Sequence, residues 1–280
     1  MPGSHSIRHY RNITFKRIAL DMVQFIRAQQ PVVKILGRQF QRSRRYIEID
    51  VTYKCNLKCL NCNRSCTQLP SDAEMRLDRI AAFITESIQR HAKWQRIRIL
   101  GGEPTLHSRI FEIVDLLREY RQTSNPGVRI VLCTNAFGRR VKTVLSKMPG
   151  DIEIKSAIKT SRTPLFRPFN VAPVDRPYYS FSDFSCGCRI LSDCGLGLTP
   201  SGYYACAVAG GIDRVFGLGL GRKTLPDRTD SMTDQLTVFC KWCGHFGFQW
   251  PVKRQIVSAT WKKAYEKSRH QLCTESVEDI

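Results

Sequence analysis

Between Tyr46 and Ser156, short stretches of alternating apolar residues take turns with longer stretches in which apolar residues recur every three or four positions. The first pattern is typical of half-buried β-strands and the second of amphipathic helices. Strands and helices that alternate at this spacing form right-handed βαβ units, so we expect an α/β fold with a parallel sheet. The predicted strands are 46–52, 96–100, 128–133 and 151–156, and the predicted helices are 75–91, 106–120 and 139–148.

A cysteine-rich loop follows the first predicted strand. Cys55, Cys59 and Cys62 lie in VTYKCNLKCLNC, with the spacing Cys-x3-Cys-x2-Cys. Thiolates are soft ligands that suit iron–sulfur clusters or zinc. Three cysteines on one loop can hold three irons of a cubane and leave the fourth iron open, and open coordination is typical of a metal that performs chemistry. Zinc is the alternative, because Cys66 offers a fourth thiolate.

The second predicted strand ends in Gly101-Gly102-Glu103-Pro104. Ligands of parallel sheets bind beyond the carboxyl ends of the strands, which places this turn at a binding site. Two glycines let a ligand approach the backbone closely, and Glu103 offers an acceptor for an ammonium group. Taken alone, these residues also fit a tight strand–helix turn; the cysteine motif one strand earlier favours the binding site.

The cysteine motif followed by GGEPTLH resembles the radical S-adenosylmethionine (radical SAM) enzyme superfamily, over roughly residues 46–156. The resemblance implies a partial, truncated β/α barrel of the TIM type. It implies a [4Fe-4S] cluster held by Cys55, Cys59 and Cys62, with the amine and carboxylate of SAM on the open iron. It further implies reductive cleavage of SAM to methionine and a 5′-deoxyadenosyl radical that abstracts a substrate hydrogen. An electron donor such as flavodoxin or ferredoxin would supply the electron.

The same resemblance assigns cofactor contacts to the ends of the strands. The GGE sequence matches the motif that holds the SAM amino group, Thr134-Asn135 matches a strand end that faces the site, and the end of the fourth strand is a candidate contact to the SAM ribose. The resulting cofactor-binding candidates are Gly101, Gly102, Glu103, Asn135 and Ser156.

The chain departs from the family pattern in two respects. Asn61 stands immediately before the last cluster cysteine, where the family usually has an aromatic residue near the adenine. The family core has six strand–helix units, whereas four are predicted here.

A second group of cysteines follows in the C-terminal part of the chain. Cys194 and Cys206 flank a predicted hairpin with its turn at 199–202, and Cys240 and Cys243 have the spacing Cys-x2-Cys. This arrangement is similar to the twitch or SPASM extensions of radical SAM enzymes, which implies a small hairpin and helix extension with one auxiliary [4Fe-4S] cluster on these four thiolates. A structural zinc ion is the alternative. Cys188 can replace one of the four ligands, and Cys186 has no assigned role.

The charge is strongly positive and uneven. Forty-four Lys and Arg against 24 Asp and Glu give +20, and residues 1–45 contain ten basic residues against one acid, Asp21. An anionic partner fits this excess. Apolar residues between Phe15 and Ile26 recur at helical spacing, so this segment is expected to be an amphipathic helix that docks on the main domain or lies on an anionic membrane.

The sequence suggests four parts and a reducing compartment. They are a basic helical segment and linker (1–45), the radical SAM core (46–160), an aromatic and proline-rich loop (161–193) and the auxiliary cysteine region (194–280). No apolar run is long enough to span a membrane, and the start of the chain lacks a secretory h-region. Cytoplasmic localisation is therefore expected, where thiols stay reduced.

Three functions follow from these features. The first is a radical SAM enzyme that acts on a small metabolite or a peptide. The second keeps the radical chemistry but has RNA as the substrate, although no recognisable RNA-binding module is present. The third is a non-catalytic zinc or iron–sulfur protein that binds nucleic acid, which leaves the GGEP turn and the parallel sheet unexplained.

Overall fold

The computed structural model describes residues 15–156, 168–248 and 254–278. The predicted aromatic loop therefore lies partly outside the described residues, at 161–167. The helices are α1 (Phe15–Arg27), α2 (Gln30–Leu36), α3 (Leu77–Gln89), α4 (Ile110–Thr123), α5 (Arg139–Ser146), α6 (Ile190–Asp193), α7 (Ala209–Phe216), α8 (Thr233–Cys240) and α9 (Ala259–Glu278). The strands are β1 (Tyr46–Thr52), β2 (Arg96–Gly101), β3 (Arg129–Thr134), β4 (Glu153–Ser156), β5 (Leu196–Thr199) and β6 (Gly202–Tyr204).

The six strands form one sheet in the order β4-β3-β2-β1-β5-β6. The pairs from β4 to β5 are parallel, and β5 and β6 form an antiparallel hairpin. Helices α3, α4 and α5 connect β1 to β4 in succession, so the predicted α/β fold with its parallel sheet is confirmed. The sheet is open in the described residues, with β4 and β6 at its edges.

The hairpin joins the core sheet, although its sequence position suggested a separate extension. Its two-residue turn lies at Pro200-Ser201, as predicted, and Leu196 of β5 pairs with Ile47 of β1. Both neighbours of β1 are therefore strands. This pairing satisfies backbone groups along both edges of β1, whose residues from Ile47 to Thr52 are all buried.

The two faces of the sheet differ in polarity. Ile47, Ile49 and Val51 of β1 belong to a large apolar core that also contains Phe83 of α3 and Leu117 of α4. The alternate residues of β1 point to the opposite face, because side chains alternate along a strand. That face is buried too, and it carries charged side chains.

A second apolar core supports the cysteine-rich loop. It includes Trp261 of α9 and Ile212 of α7, both nearly inaccessible to solvent. Arg214 of α7 donates hydrogen bonds to the carbonyl oxygens of Arg64 (2.8 Å) and Leu69 (2.8 Å). The C-terminal elements therefore pack directly against the loop that carries Cys55, Cys59 and Cys62.

The first two helices dock on the domain through one side. Gln24 donates to the carbonyl oxygen of Phe246 (2.8 Å), and the amide of Asp183 donates to that of Ala28 (2.7 Å). This confirms the predicted helix and its contact with the main domain. None of the described helices has the length and apolarity that a membrane-spanning segment requires.

Candidate functional site

The predicted site residues follow the carboxyl ends of four neighbouring parallel strands. The cysteine loop follows β1, the GGEP turn follows β2, Asn135 follows β3, and Ser156 ends β4. Strands β1 to β4 are adjacent and parallel, so these ends lie along one edge of the sheet, where α/β proteins bind ligands.

The cysteine loop is compact and internally bonded. Cys59 is buried, and Cys55 and Cys62 are half-buried. Gln68 donates to the carbonyl oxygens of Cys59 (3.2 Å) and Leu60 (2.7 Å). A hydrogen bond from the Cys66 thiol lowers the pKa of Cys62. Cys66 therefore lies beside a predicted cluster ligand, which is the position that the zinc alternative requires.

Two glycines join the cysteine loop to the turn after β2. The amide of Gly102 donates to the carbonyl oxygen of Thr52 (2.7 Å), and that of Glu103 donates to Lys54 (2.8 Å). A Cβ atom on Gly101 would lie 2.3 Å from the Thr52 oxygen, and one on Gly102 would lie 2.3 Å from the Lys54 oxygen. The backbone of the cysteine loop itself therefore occupies the space beside these glycines. The predicted contact of Gly101 and Gly102 with SAM stays a prediction.

Glu103 is fully buried and cross-links two strand ends. Its carboxylate accepts hydrogen bonds from the Thr105 amide (3.3 Å), the Thr105 hydroxyl (2.7 Å), the Thr134 hydroxyl (2.8 Å) and the Asn135 amide (2.8 Å). These donors belong to the turn after β2 and to the end of β3. Thr134 and Thr105 thus fix the orientation of Glu103, and the bond from the Thr105 amide is the longest of the four.

Asn135 extends this connection back to the cysteine loop. Its side-chain amide donates to Asn56 (2.9 Å), while Asn56 in turn donates to the carbonyl oxygen of Phe137 (2.6 Å). Asn56 directly follows Cys55 in the chain. The loops after β1, β2 and β3 are therefore held together by hydrogen bonds through Asn135 and Glu103.

Ser156 and Asn61 are the two remaining positions singled out from the sequence, and they contact different segments of the chain. Ser156 is buried at the end of β4, where it pairs with Thr134 of β3. The Asn61 side chain is buried and contacts the C-terminal segment, donating to Arg254 (3.3 Å) and accepting from the amide of Ile256 (3.3 Å). Where the family usually has an aromatic residue, this chain therefore uses an amide that ties two segments together.

A buried charge network occupies the polar face of the sheet. Arg64, two residues after Cys62, donates to Glu48 (3.0 Å) and to Asp50 (3.3 Å), and Arg98 of β2 donates to Glu48 (2.7 Å). Burial tends to raise the pKa of Glu48, but the two guanidinium groups outweigh it and hold that pKa below its ordinary value. Burial raises the pKa of Asp50 to about 6 despite Arg64. The network is thus built from acids of β1 and a base of the cysteine loop.

These charged residues were not identified from the sequence as site residues. Alternating acids in a strand usually indicate a solvent-facing side, so the pattern YIEIDVT does not by itself mark Glu48 and Asp50 as buried. The signal that could have identified them is the predicted parallel sheet, because its strands are commonly covered on both faces. Polar residues on such a strand then require buried partners, such as Arg64.

In the second cysteine group, one member differs from the predicted set. A small cavity is lined by four cysteines together with apolar side chains, and these cysteines are Cys188, Cys206, Cys240 and Cys243. Burial raises the pKa of Cys188, and the neighbouring thiols of Cys243 and Cys206 raise it further. Burial and the thiols of Cys188, Cys206 and Cys243 likewise raise the pKa of Cys240.

Cys194 does not line this cavity. It lies two residues before β5, whose pairing with β1 brings the Cys194 thiol close enough to Glu48 on the polar face to help lower the pKa of that carboxyl. Cys188, which lies before α6, lines the cavity, and the ligand role predicted for Cys194 stays a prediction.

The donor chemistry of both groups fits a thiophilic metal centre. Three cysteines follow β1 at the edge where ligands bind, and four thiols surround one cavity near α8. Over 15–156, 168–248 and 254–278, no three His, Cys, Asp or Glu side chains are already arranged around a metal position. The fit therefore rests on the chemistry and placement of the thiols.

Comparison with known proteins identifies the family of the central segment. Residues 49–148 match the model of the radical SAM superfamily. A GTP 3',8-cyclase of Listeria welshimeri is 38% identical over 84 residues, which are 29% of this chain and 25% of that protein. A GTP 3',8-cyclase of Helicobacter pylori is 34% identical over 121 residues, 42% of this chain and 34% of that protein. The chain thus matches about a quarter to a third of the length of these relatives.

Among solved structures, BtrN in complex with AdoMet and 2-DOIA is similar at 13% identity and a TM-score of 0.42. The alignment covers 72% of this chain and 89% of that chain.

Proposed function

We propose that this chain, which carries a radical SAM domain over residues 49–148, is an enzyme that cleaves SAM reductively and removes a hydrogen atom from a small metabolite or a peptide. When bound, a [4Fe-4S] cluster would supply the electron for that cleavage. Cys55, Cys59 and Cys62 would hold it. An electron donor such as flavodoxin or ferredoxin, in a reducing cytoplasm, belongs to the same proposal.

The observation that carries this proposal is the direct connection between the cysteine loop and the GGEP turn. Backbone hydrogen bonds from Gly102 and Glu103 reach Thr52 and Lys54, which lie three residues and one residue before Cys55. A metal held by the loop would therefore lie next to the turn that carries Glu103. If the amino-acid moiety of SAM is to bind an iron of the cluster, the cysteine loop and the GGEP turn must be adjacent in this way.

Glu103 and Asn135 would orient SAM rather than react with it. Glu103 is held from two strand ends, which limits the reorganisation required when an ammonium group arrives. That group would compete first with the Thr105 amide, since its bond of 3.3 Å is the longest to the carboxylate. Gly101, Gly102 and Ser156 remain proposed contacts of the same cofactor.

The polar face of the sheet favours a polar substrate. Glu48, Asp50, Arg64 and Arg98 are buried or nearly so and lie on the face opposite the apolar core. A substrate that enters this side would meet hydrogen-bonding groups rather than aliphatic side chains. The small-molecule enzymes among the relatives, named GTP 3',8-cyclases, are compatible with this preference.

For the auxiliary centre we propose Cys188, Cys206, Cys240 and Cys243 as ligands. Their convergence on one cavity supports this set over the one with Cys194. An auxiliary [4Fe-4S] cluster and a structural zinc ion have the same thiolate requirements, and the metal content of the purified protein separates them.

The central experiment is anaerobic purification followed by iron and sulfide analysis and an assay for 5′-deoxyadenosine under dithionite. We expect a brown protein with about eight iron atoms per chain, as two cubanes require. Cys59→Ala should abolish SAM cleavage, whereas Cys133→Ala, which changes a thiol outside both groups, should retain it. A colourless zinc protein overturns the enzyme proposal. Cleavage that persists in Cys59→Ala overturns the assignment of Cys59 as a cluster ligand.

The auxiliary ligands are tested by a matched pair of variants. Cys188→Ala should lower the iron content to about four atoms per chain, since one cubane would be lost. Cys194→Ala should retain about eight, because Cys194 does not line the cavity that the four proposed ligands surround. The reverse result would restore the set that the sequence suggested.

A further inference from the structure

Helix α1 is apolar on two sides, and the part of the domain that the structure describes covers only one of them. Gln24 and Ala28 are buried against the domain, and Phe25 contacts Tyr179 with ring centroids 5.4 Å apart. The opposite side carries large apolar side chains that are exposed. Together with two residues of α2, they are Phe15, Leu20, Met22, Val23, Ile26, Ile35 and Leu36. We call these seven residues the outward apolar face.

The exposure of this face is substantial. Met22 is 60% exposed and Ile35 81% exposed, although both are apolar. Phe15, Met22 and Ile26 are spaced seven and four residues apart, so they form one stripe along α1. Contiguous exposed apolar patches on a domain mark interaction sites for proteins or membranes.

Two aromatic residues extend the patch beyond the helices. Tyr178 is 55% exposed and packs against Phe25, with ring centroids 6.3 Å apart. Phe181 is 71% exposed, and its carbonyl oxygen accepts a hydrogen bond from the amide of Gln30, at the start of α2. Tyrosine is favoured where a bilayer meets water, because its ring is apolar and its hydroxyl faces polar groups, and phenylalanine adds apolar area to the same patch.

The segment of the sequence that contains α1 and α2 carries charge almost entirely of one sign. Residues 1–45 contain ten Lys and Arg and one acid. Lys34 is exposed on α2, Arg38 is exposed just after it, and Arg27 lies at the end of α1. A second copy of the chain would bring the same positive charge to the contact and be repelled, whereas an anionic surface would be attracted.

We propose that the outward apolar face binds the surface of an anionic lipid bilayer, with α1 and α2 lying in the plane of the interface. The apolar side chains would enter the boundary between headgroups and acyl chains, and the basic residues would contact the lipid phosphates. The helices lie on the membrane and do not span it, in agreement with their length. The radical SAM domain would thereby be held next to substrates or partners at that surface.

Flotation of the full chain with lipid vesicles tests this inference. Vesicles of phosphatidylcholine mixed with phosphatidylglycerol should carry the protein, and vesicles of phosphatidylcholine alone should carry much less. Binding should fall as salt is added, because screening weakens attraction between exposed charges. Met22→Ser/Ile35→Ser should lower the partition coefficient about tenfold, since two apolar side chains no longer enter the bilayer.

Matched variants separate this effect from loss of folding. Ile88→Ser removes an exposed apolar side chain from α3, far from the face in the sequence, and should float like the unchanged protein. Lys34→Glu should weaken binding to anionic vesicles, whereas Lys147→Glu at the end of α5 should weaken it less. Equal flotation of Met22→Ser/Ile35→Ser and Ile88→Ser overturns the proposal. So does absence of binding to anionic vesicles, or a dimer in solution that the double variant dissociates.

Discussion

Replacing Gly102 by alanine tests whether Gly101 and Gly102 are needed for packing within the chain or for binding of the cofactor. An alanine Cβ would lie 2.3 Å from the Lys54 oxygen and 2.8 Å from the Tyr53 oxygen, both backbone atoms. The loop that carries the cysteines would therefore have to move away from the turn after β2. Gly102 suits this test better than Gly101, whose φ of +132° strains any other residue irrespective of space.

The expected loss of stability can be worked from the contacts. Displacement breaks the hydrogen bonds from Gly102 to Thr52 and from Glu103 to Lys54, each worth about 1 kcal/mol. Overpacking of a close-packed site adds about 1–3 kcal/mol. The free energy of unfolding of Gly102→Ala should therefore be lower by about 4 kcal/mol, before any cofactor is bound.

Urea unfolding of the metal-free protein, followed by tryptophan fluorescence, measures this difference. Gly127→Ala is the matched control, because nothing lies within 4 Å of a Cβ at that position. It should be neutral or stabilise by up to about 1 kcal/mol through the unfolded chain. The reasoning is refuted if Gly102→Ala unfolds at the same urea concentration as Gly127→Ala and loses only SAM affinity.

Three further predictions concern the buried polar groups of the metal-free protein. Glu103→Gln should cost about 1–3 kcal/mol of unfolding free energy because it leaves buried donors unpaired, whereas exposed Glu112→Gln should cost under about 1 kcal/mol, as urea midpoints will reveal. Arg64→Met should destabilise by about 3–5 kcal/mol, since Glu48 and Asp50 lose their shared partner; a thermal midpoint unchanged from wild type would contradict the network. The raised pKa of Asp50 means that the folded state binds the Asp50 proton more tightly than the unfolded state does. The contribution of this proton to stability is therefore full below about pH 4 and is lost as the pH rises through about 6, an effect of about 3 kcal/mol. Asp50→Asn should remove this effect from the dependence of the unfolding free energy on pH.

Much of the core could be predicted because it is encoded in local patterns. Each predicted strand from β1 to β4 coincides with an observed strand to within two residues, and the hairpin turn is at Pro200-Ser201. The cysteine motif and the GGEP turn both follow strands, which places them at one edge of a parallel sheet without further information. The family match over residues 49–148 confirms the resemblance that these motifs carry.

The spacing of the auxiliary cysteines in the sequence does not predict which of them line one cavity. Cys194 and Cys206 flank a hairpin in sequence, and a separate extension would place them together. Instead β5 pairs with β1, a contact between residues about 150 positions apart, and Cys194 is carried to Glu48. No local pattern distinguishes Cys188 from Cys194 as a lining residue of the cavity.

The sequence by itself determined the strand–helix alternation, the loop with three cysteines and the basic character of the first 45 residues. These are properties of neighbouring residues, set by side-chain periodicity, ligand chemistry and charge. Tertiary structure alone decided that the glycines meet Thr52 and Lys54 and that Arg64 neutralises acids of β1. It also decided that one apolar side of α1 is left uncovered by the described residues. Such outcomes depend on which distant segments pack together, because burial and pairing are decided across the fold and not along the chain.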